Sequence, residues 1–180
     1  MKINLLVIIS FMVVLSAAMV APVVAAENVT ITGNPTAVID ITVTGGITGW
    51  VLVVGSNTRA DDVDLTVSSN YIDWTVTVKD DLDGSKIAGT AGKMANWTGA
   101  AYESDSLAAN LTVEGKSVAD KTTGAEVTLS GTDQTIETGI DVIDTQAMDI
   151  TIGQAVAYTD PRLPGSNVYR IIVTFIGTLP

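Results

Sequence analysis

Two alternating segments, separated by a turn-forming cluster, constrain the fold of this chain more than any other feature. The apolar positions of the two segments are Val63, Leu65, Val67, Ile72, Trp74, Val76 and Val78. Polar residues stand between them, and a period of two is typical of strands with one buried and one exposed face. Because Ser68-Ser69-Asn70 favours a turn, residues 62–79 predict an antiparallel β-hairpin. Trp74 is its expected large buried residue.

Other segments with strand character follow one another along the chain, with Gly, Pro and Asn turn signals between them. They lie at residues 37–44, 47–54, 107–113, 125–129, 136–142, 148–152 and 168–176. Residues 47–54 are typical of a strand covered on both faces or of one that changes face, and Gly139 makes residues 136–142 ambiguous. Residues 87–106 are irregular. With about nine strands and no helical periodicity, the chain is predicted to be all-β, a single antiparallel β-sandwich.

The first 26 residues have the pattern of a secretory signal peptide. Lys2 precedes an apolar run, and Val24-Ala25-Ala26 is a small-residue cleavage site. We predict cleavage before Glu27, a β-prone arm at residues 27–36, a sandwich domain at residues 37–180, and an extracellular location at the cell surface. The alternative is a retained membrane anchor, because the run is long enough to span a bilayer. After cleavage no membrane span is expected.

Composition excludes several classes of chemistry. The chain has no cysteine and no histidine, so it cannot form disulfides, a cysteine nucleophile, a Ser-His-Asp triad or the usual zinc sites. Its formal charge of −11 disfavours nucleic acid as a partner. No catalytic or cofactor-binding residue is predicted, and the protein is expected not to be an enzyme. A glycosidase with two carboxylates is the remaining catalytic alternative.

An acidic stretch after the second segment resembles a fragment of a calcium loop. Asp80, Asp81 and Asp83 precede Gly84 and are candidate calcium ligands. The remaining ligand positions of an EF-hand are missing. An acidic Asp-Gly turn is the alternative interpretation.

Three sequons mark candidate glycosylation sites at Asn28, Asn96 and Asn110. Each is expected in the arm, in a loop or on the outward side of a strand. Chance occurrence is the alternative, because Asn and Thr are frequent in this chain.

Two aromatic residues in the irregular stretch, Trp97 and Tyr102, are candidates for binding a sugar ring by stacking. The alternative is that they fold back and cap one end of the sandwich.

The arm from Glu27 to Thr32 alternates apolar and polar residues. Such a segment pairs with an edge of its own sheet or adds a strand to a neighbouring copy, which is β-augmentation.

Two short motifs resemble secreted archaeal β-sandwich surface proteins and, more loosely, the WxL domains of bacterial surface proteins. One is residues 64–67 followed by residues 74–78, with Val76 where a WxL segment has Leu. The other is Tyr158-Thr159-Asp160-Pro161 with the closing strand, where Phe175 replaces the second Trp. The resemblance implies non-covalent wall attachment, and the residues carried over are Trp74, Val76, Tyr169 and Phe175, for which core packing is the alternative.

These observations predict a surface or structural protein that acts by association, as a filament subunit or in a surface layer. Its expected partners are other copies, through strand addition, or a surface polysaccharide. The alternative function is a carbohydrate- or cell-wall-binding module that uses the loop aromatics.

Overall fold

Eleven β-strands and no helix occur in the part of the chain that the computed structural model describes, residues 32–83, 85–117, 124 and 126–180. The strands are β1 (Ile39–Gly45), β2 (Gly55–Ser69), β3 (Trp74–Asp80), β4 (Lys93–Trp97), β5 (Tyr102–Asn110), β6 (Thr112–Ser117), β7 (Val127–Thr128), β8 (Gln134–Gly139), β9 (Ile143–Val156), β10 (Val168–Arg170) and β11 (Val173–Thr178). The all-β prediction is confirmed.

The chain divides into two units, Met1–Pro35 and Thr36–Pro180. Of the first, only residues 32–35 are described, so the predicted signal peptide and residues 27–31 of the predicted arm lie outside the described residues. All the described strands belong to the second unit.

The strands form three antiparallel sheets with a shared core. The five-stranded sheet has the order β1-β2-β9-β6-β7, and the two three-stranded sheets have the orders β10-β4-β5 and β11-β3-β8. Buried residues from all three sheets form one hydrophobic cluster, which includes Leu65, Trp74, Met94, Leu107 and Ile150. This arrangement is sandwich-like, because apolar faces of separate sheets pack on one another.

The predicted hairpin does not form, although its two strands do. β2 pairs with β1 and β9, whereas β3 pairs with β11 and β8. Leu65, Val67, Trp74, Val76 and Val78 are buried in the shared core, and Val63 is partly buried against it. Alternation specifies a buried face but not an edge-to-edge partner, so the same pattern suits two strands that face each other across a core. Ile72, expected inward, lies exposed in the connection.

The burial of Trp74 is confirmed. It also explains why residue 139, in the predicted strand at residues 136–142, is a glycine. Trp74 is 2% exposed, and its indole Nε1 donates to the Asp141 carbonyl at 3.0 Å. A Cβ atom on Gly139 would lie 2.0 Å from the Trp74 ring. Gly139 is therefore required for the ring to lie against β8.

Three other predictions of secondary structure were wrong. Residues 47–54 form no strand; Gly46, Gly49 and Gly55 around them have positive φ, and Val51 is exposed. Residues 87–106, expected to be irregular, contain β4 and the start of β5. The closing strand divides into β10 and β11, which pair with β4 and β3 in different sheets. Pairing with two sheets requires the break between Arg170 and Val173.

Candidate functional site

A large apolar groove opens between β1 and the segment that contains β10 and β11. It has a volume of about 1200 Å³. Core side chains form its base, namely Val63, Met94, Leu107, Leu111 and Ile152. Its walls include Val43, Trp50, Leu52, Ile171, Val173 and Phe175. We call this feature the edge groove.

The edge groove exists because β1 and β11 meet at one end and separate at the other. A Cβ atom on Gly177 would lie 3.0 Å from side-chain atoms of both Ile39 and Ile41, so the strands are in contact there. Val43 continues the inward face of β1, yet it is 44% exposed and lines the groove with Phe175. The inward face of β1 therefore loses its cover toward Val43.

Three of the strands that line the edge groove are sheet edges. In the described part of the chain, β1 has only β2 as a partner strand, β10 only β4, and β11 only β3. An edge strand presents a row of backbone N–H and C=O groups that another strand can pair with. The groove thus combines an apolar interior with open hydrogen-bonding edges.

The loop from residue 157 to residue 167 borders the groove and is held by internal hydrogen bonds. The Asp160 carboxylate accepts from the backbone N–H groups of Ala108 and Ala157, both at 2.8 Å. The Tyr169 hydroxyl donates to the Pro161 carbonyl at 2.6 Å, and burial raises the pKa of Tyr169. The Asp160 carboxylate at the groove is therefore already hydrogen-bonded.

The calcium candidates do not converge in the structure. Asp80 is buried, and its carboxylate accepts from Lys86 Nζ and from the backbone N–H groups of Leu82 and Gly92. Asp83 lies 3.5 Å from the Arg170 guanidinium. Within the described ranges, no group of three or more acidic residues is placed to hold a metal ion.

The buried Asp80–Lys86 pair has a structural explanation. Both side chains are almost completely excluded from solvent. Burial lowers the pKa of Lys86, whereas the hydrogen bond and the charge of Asp80 oppose that shift. The pair fixes the connection between β3 and β4, because it joins residue 80 to residues 86 and 92.

The two candidate sugar-binding aromatics pack on each other. Trp97 and Tyr102 have ring centroids 4.9 Å apart, and the Arg170 guanidinium lies 4.2 Å from the Trp97 centroid. Tyr102 is buried; its hydroxyl has no hydrogen-bond partner among the described residues, and burial raises its pKa. Arg170 covers the Trp97 ring that a sugar would need, so this geometry favours the capping alternative.

The sequons differ in what the structure places around them. Asn96 was expected to be accessible, but it lies in β4 at 3% exposure and accepts from Asn167. Asn110 Nδ2 donates to the Leu129 carbonyl at 2.9 Å. Both amides are therefore engaged in the fold. Asn28 lies outside the described residues.

The residues that carry the WxL resemblance fall into two groups. Trp74 and Val76 are core residues. Tyr169 and Phe175 are half-buried and line the edge groove. Only the second pair is placed where a partner could contact it.

Sequence reasoning missed the edge groove. The signal was present in the apolar run at residues 47–54, whose Ile47, Trp50 and Leu52 line the groove, but a run without alternation also predicts a strand. None of the described residues belongs to a helix long and apolar enough to cross a bilayer. A scan against protein-family models gives no match, and a search of curated proteins gives no relative.

Proposed function

We propose that the mature chain is a non-enzymatic extracellular structural subunit that acts by association, within a filament or a surface layer. The edge groove is the observation that carries this proposal. A groove of about 1200 Å³ exceeds the range of roughly 300–1,000 Å³ that is typical of small-molecule sites. A segment of polypeptide matches that size better.

The surface around the groove supports association. Val43, Val54 and Val168 line it and are all substantially exposed, and Val51 and Val53 in the neighbouring connection are exposed as well. Contiguous exposed apolar surface of this kind is typical of interaction sites. Covering it with another chain would remove that apolar area from water, which is the main favourable term in protein association.

Extracellular location rests on the signal-peptide pattern of residues 1–26. The acidic surface is consistent with this proposal, because a high net charge keeps a secreted subunit soluble before it assembles.

The proposal is tested with purified mature protein, residues 27–180, by sedimentation velocity over a wide concentration range and by negative-stain electron microscopy. We expect assemblies whose size increases with concentration. Monomers at every concentration and salt condition would contradict the proposal.

A carbohydrate- or wall-binding module is the second candidate. Tyr158 supports it, because its side chain is 92% exposed and lines the edge groove. Saturable retention of the protein on a glycan array, lost in Tyr158→Ala, would favour this function. If retention is unchanged in Tyr158→Ala, the exposed Tyr158 no longer supports a carbohydrate-binding function.

A further inference from the structure

We infer that the edge groove is an acceptor for a single strand, and that its occupant is the segment of residues 27–32 from a second copy of the chain. This inference rests on the proposed function and specifies the partner and the contact. Three features support it: the alternation of apolar and polar residues in the segment, the open strand edges beside the groove, and the place where the chain enters the described unit.

The residue pattern of the segment suits one added strand. Six residues in a β-strand span about 20 Å. In residues 27–32, Val29 and Ile31 alternate with Asn28, Thr30 and Thr32. One face of an added strand would therefore bury two β-branched apolar side chains over the apolar base, while the other face would be polar.

The open edges supply the backbone partners of such a strand. β1, β10 and β11 each lack a second partner strand among the described residues and border the groove. An added strand between them would pair with at least one free edge, and hydrogen bonds of the main chain would then provide affinity without demanding a particular sequence. The alternating side chains would fix the register.

The place where the chain enters the second unit favours a neighbouring copy over the chain's own arm. Asn70 accepts from the Val38 N–H at 2.7 Å, donates to the Thr36 carbonyl at 2.8 Å, and donates its backbone N–H to the Val38 carbonyl. These bonds hold residues 36–38 in line with β1, at the end where β1 contacts Gly177. The groove lies at the other end of β1, beside Val43.

Reaching its own groove would require the chain to reverse its direction before Thr36. Thr36 and Val43 are separated by seven extended residues, about 23 Å. A second copy offers the same groove without any reversal, and repetition of a head-to-tail contact of this kind produces an open filament.

The experiment separates the two halves of the contact. One variant of the mature protein lacks residues 27–35 and keeps the groove; the other carries Val43→Asp, which places a charge in the groove and keeps the arm. Each variant alone is expected to be monomeric by sedimentation velocity. Their equimolar mixture is expected to form a one-to-one complex, because the arm of the second variant fills the groove of the first.

The control is Val142→Asp, at an exposed valine that does not line the groove, and it is expected to assemble like the unmodified protein. Circular dichroism shows whether Val43→Asp is folded; if it is not, Val168→Asp, at a more exposed groove position, replaces it. No complex in the mixture would overturn the inference, including the case in which each arm occupies its own groove. Undiminished assembly of the arm-deleted variant would overturn it as well and would leave the proposed function standing.

A cysteine pair identifies the source of the strand, since the chain has no cysteine of its own. Mature Val29→Cys protein is mixed with Val168→Cys protein and oxidised. We expect disulfide-linked dimers on a non-reducing gel, and far fewer when Val142→Cys replaces Val168→Cys. Equal cross-linking at both positions would contradict the inference.

Discussion

Around Trp74 the sheets close on each other, whereas beside Val43 they stay apart. At the closed end, the Trp74 ring is 2% exposed and lies against Gly139. At the open end, Val43 has the same inward orientation on its strand as Ile39 and Ile41, yet it borders a groove of about 1200 Å³. Both ends are built from alternating apolar strands.

The difference lies in what covers each face. The inward residues of β3 are buried in a cluster to which β2 and β9 of the five-stranded sheet contribute Leu65, Val67, Met148 and Ile150. The inward face of β1 has such cover only near Gly177, and beyond it β11 turns away. An apolar strand face therefore does not show that the face is covered by other strands. The inward face of β1 is apolar, yet its Val43 end is uncovered and borders the edge groove.

The largest expected effect on stability is at Trp74 of the closed end, and the same substitution at Trp50 of the open end gives the comparison. Trp74→Ala is expected to reduce the free energy of unfolding by about 3–5 kcal/mol, because a fully buried aromatic leaves a cavity. Trp50→Ala, at the half-buried tryptophan of the groove wall, is expected to cost less than about 2 kcal/mol, since less area returns to water. Urea unfolding of both variants measures the difference. Equal losses would show that the two ends are packed alike.

Asp80→Ala is expected to cost about 3 kcal/mol at neutral pH. It leaves Lys86 buried without its counter-ion and leaves the Gly92 N–H without its acceptor. Burial already lowers the pKa of Lys86, so the unfolded chain holds this proton more tightly than the folded one. The deficit should therefore shrink as the pH rises toward the ordinary lysine pKa of about 10.4. A deficit that does not change with pH would contradict this account; Lys86→Met in the Asp80→Ala background is the matched control.

Tyr102→Phe is expected to stabilise the protein by about 1 kcal/mol, because it removes a buried hydroxyl without a hydrogen-bond partner in the described structure. Burial raises the pKa of Tyr102, so the unfolded chain loses this proton first as the pH rises above about 10. That part of the alkaline loss of stability should be absent in the variant. Thermal unfolding at pH 8 and above pH 10 measures both effects, and a less stable variant would show that the hydroxyl has a partner.

The smallest expected change in stability is at the open end. Val168→Ser alters a groove residue that is 53% exposed, and it should change the free energy of unfolding by no more than about 0.5 kcal/mol. Assembly at a given concentration should nevertheless weaken, because the groove loses apolar surface. Val142→Ser, at an exposed valine outside the groove, is expected to change neither quantity. Strong destabilisation by Val168→Ser would place this residue in the core instead.

Burial also determines which sequon could carry a glycan in the folded protein. Asn96 is buried, and Asn110 donates to the backbone, so neither amide is placed for modification in the folded chain. Of the three sequons, the mass of the mature protein then depends on Asn28 alone.

Local sequence determined the apolar side of the alternating strands, such as β2, β3 and β9. The burial of Leu65, Trp74 and Ile150 follows from alternation, because each strand must hide one face from water. The exclusion of cysteine and histidine chemistry also needs only the sequence.

Tertiary structure alone decided which strands pair, which face each other and which stay uncovered. β2 and β3 pack face to face instead of forming a hairpin, residues 47–54 line a groove, and Asp80 binds Lys86. The physical reason is that alternation is a property of one strand, whereas pairing and cover depend on partners far away in the chain. The edge groove is therefore only partly indicated by the sequence, through the apolar run at residues 47–54, and its position depends on the separation of β1 and β11.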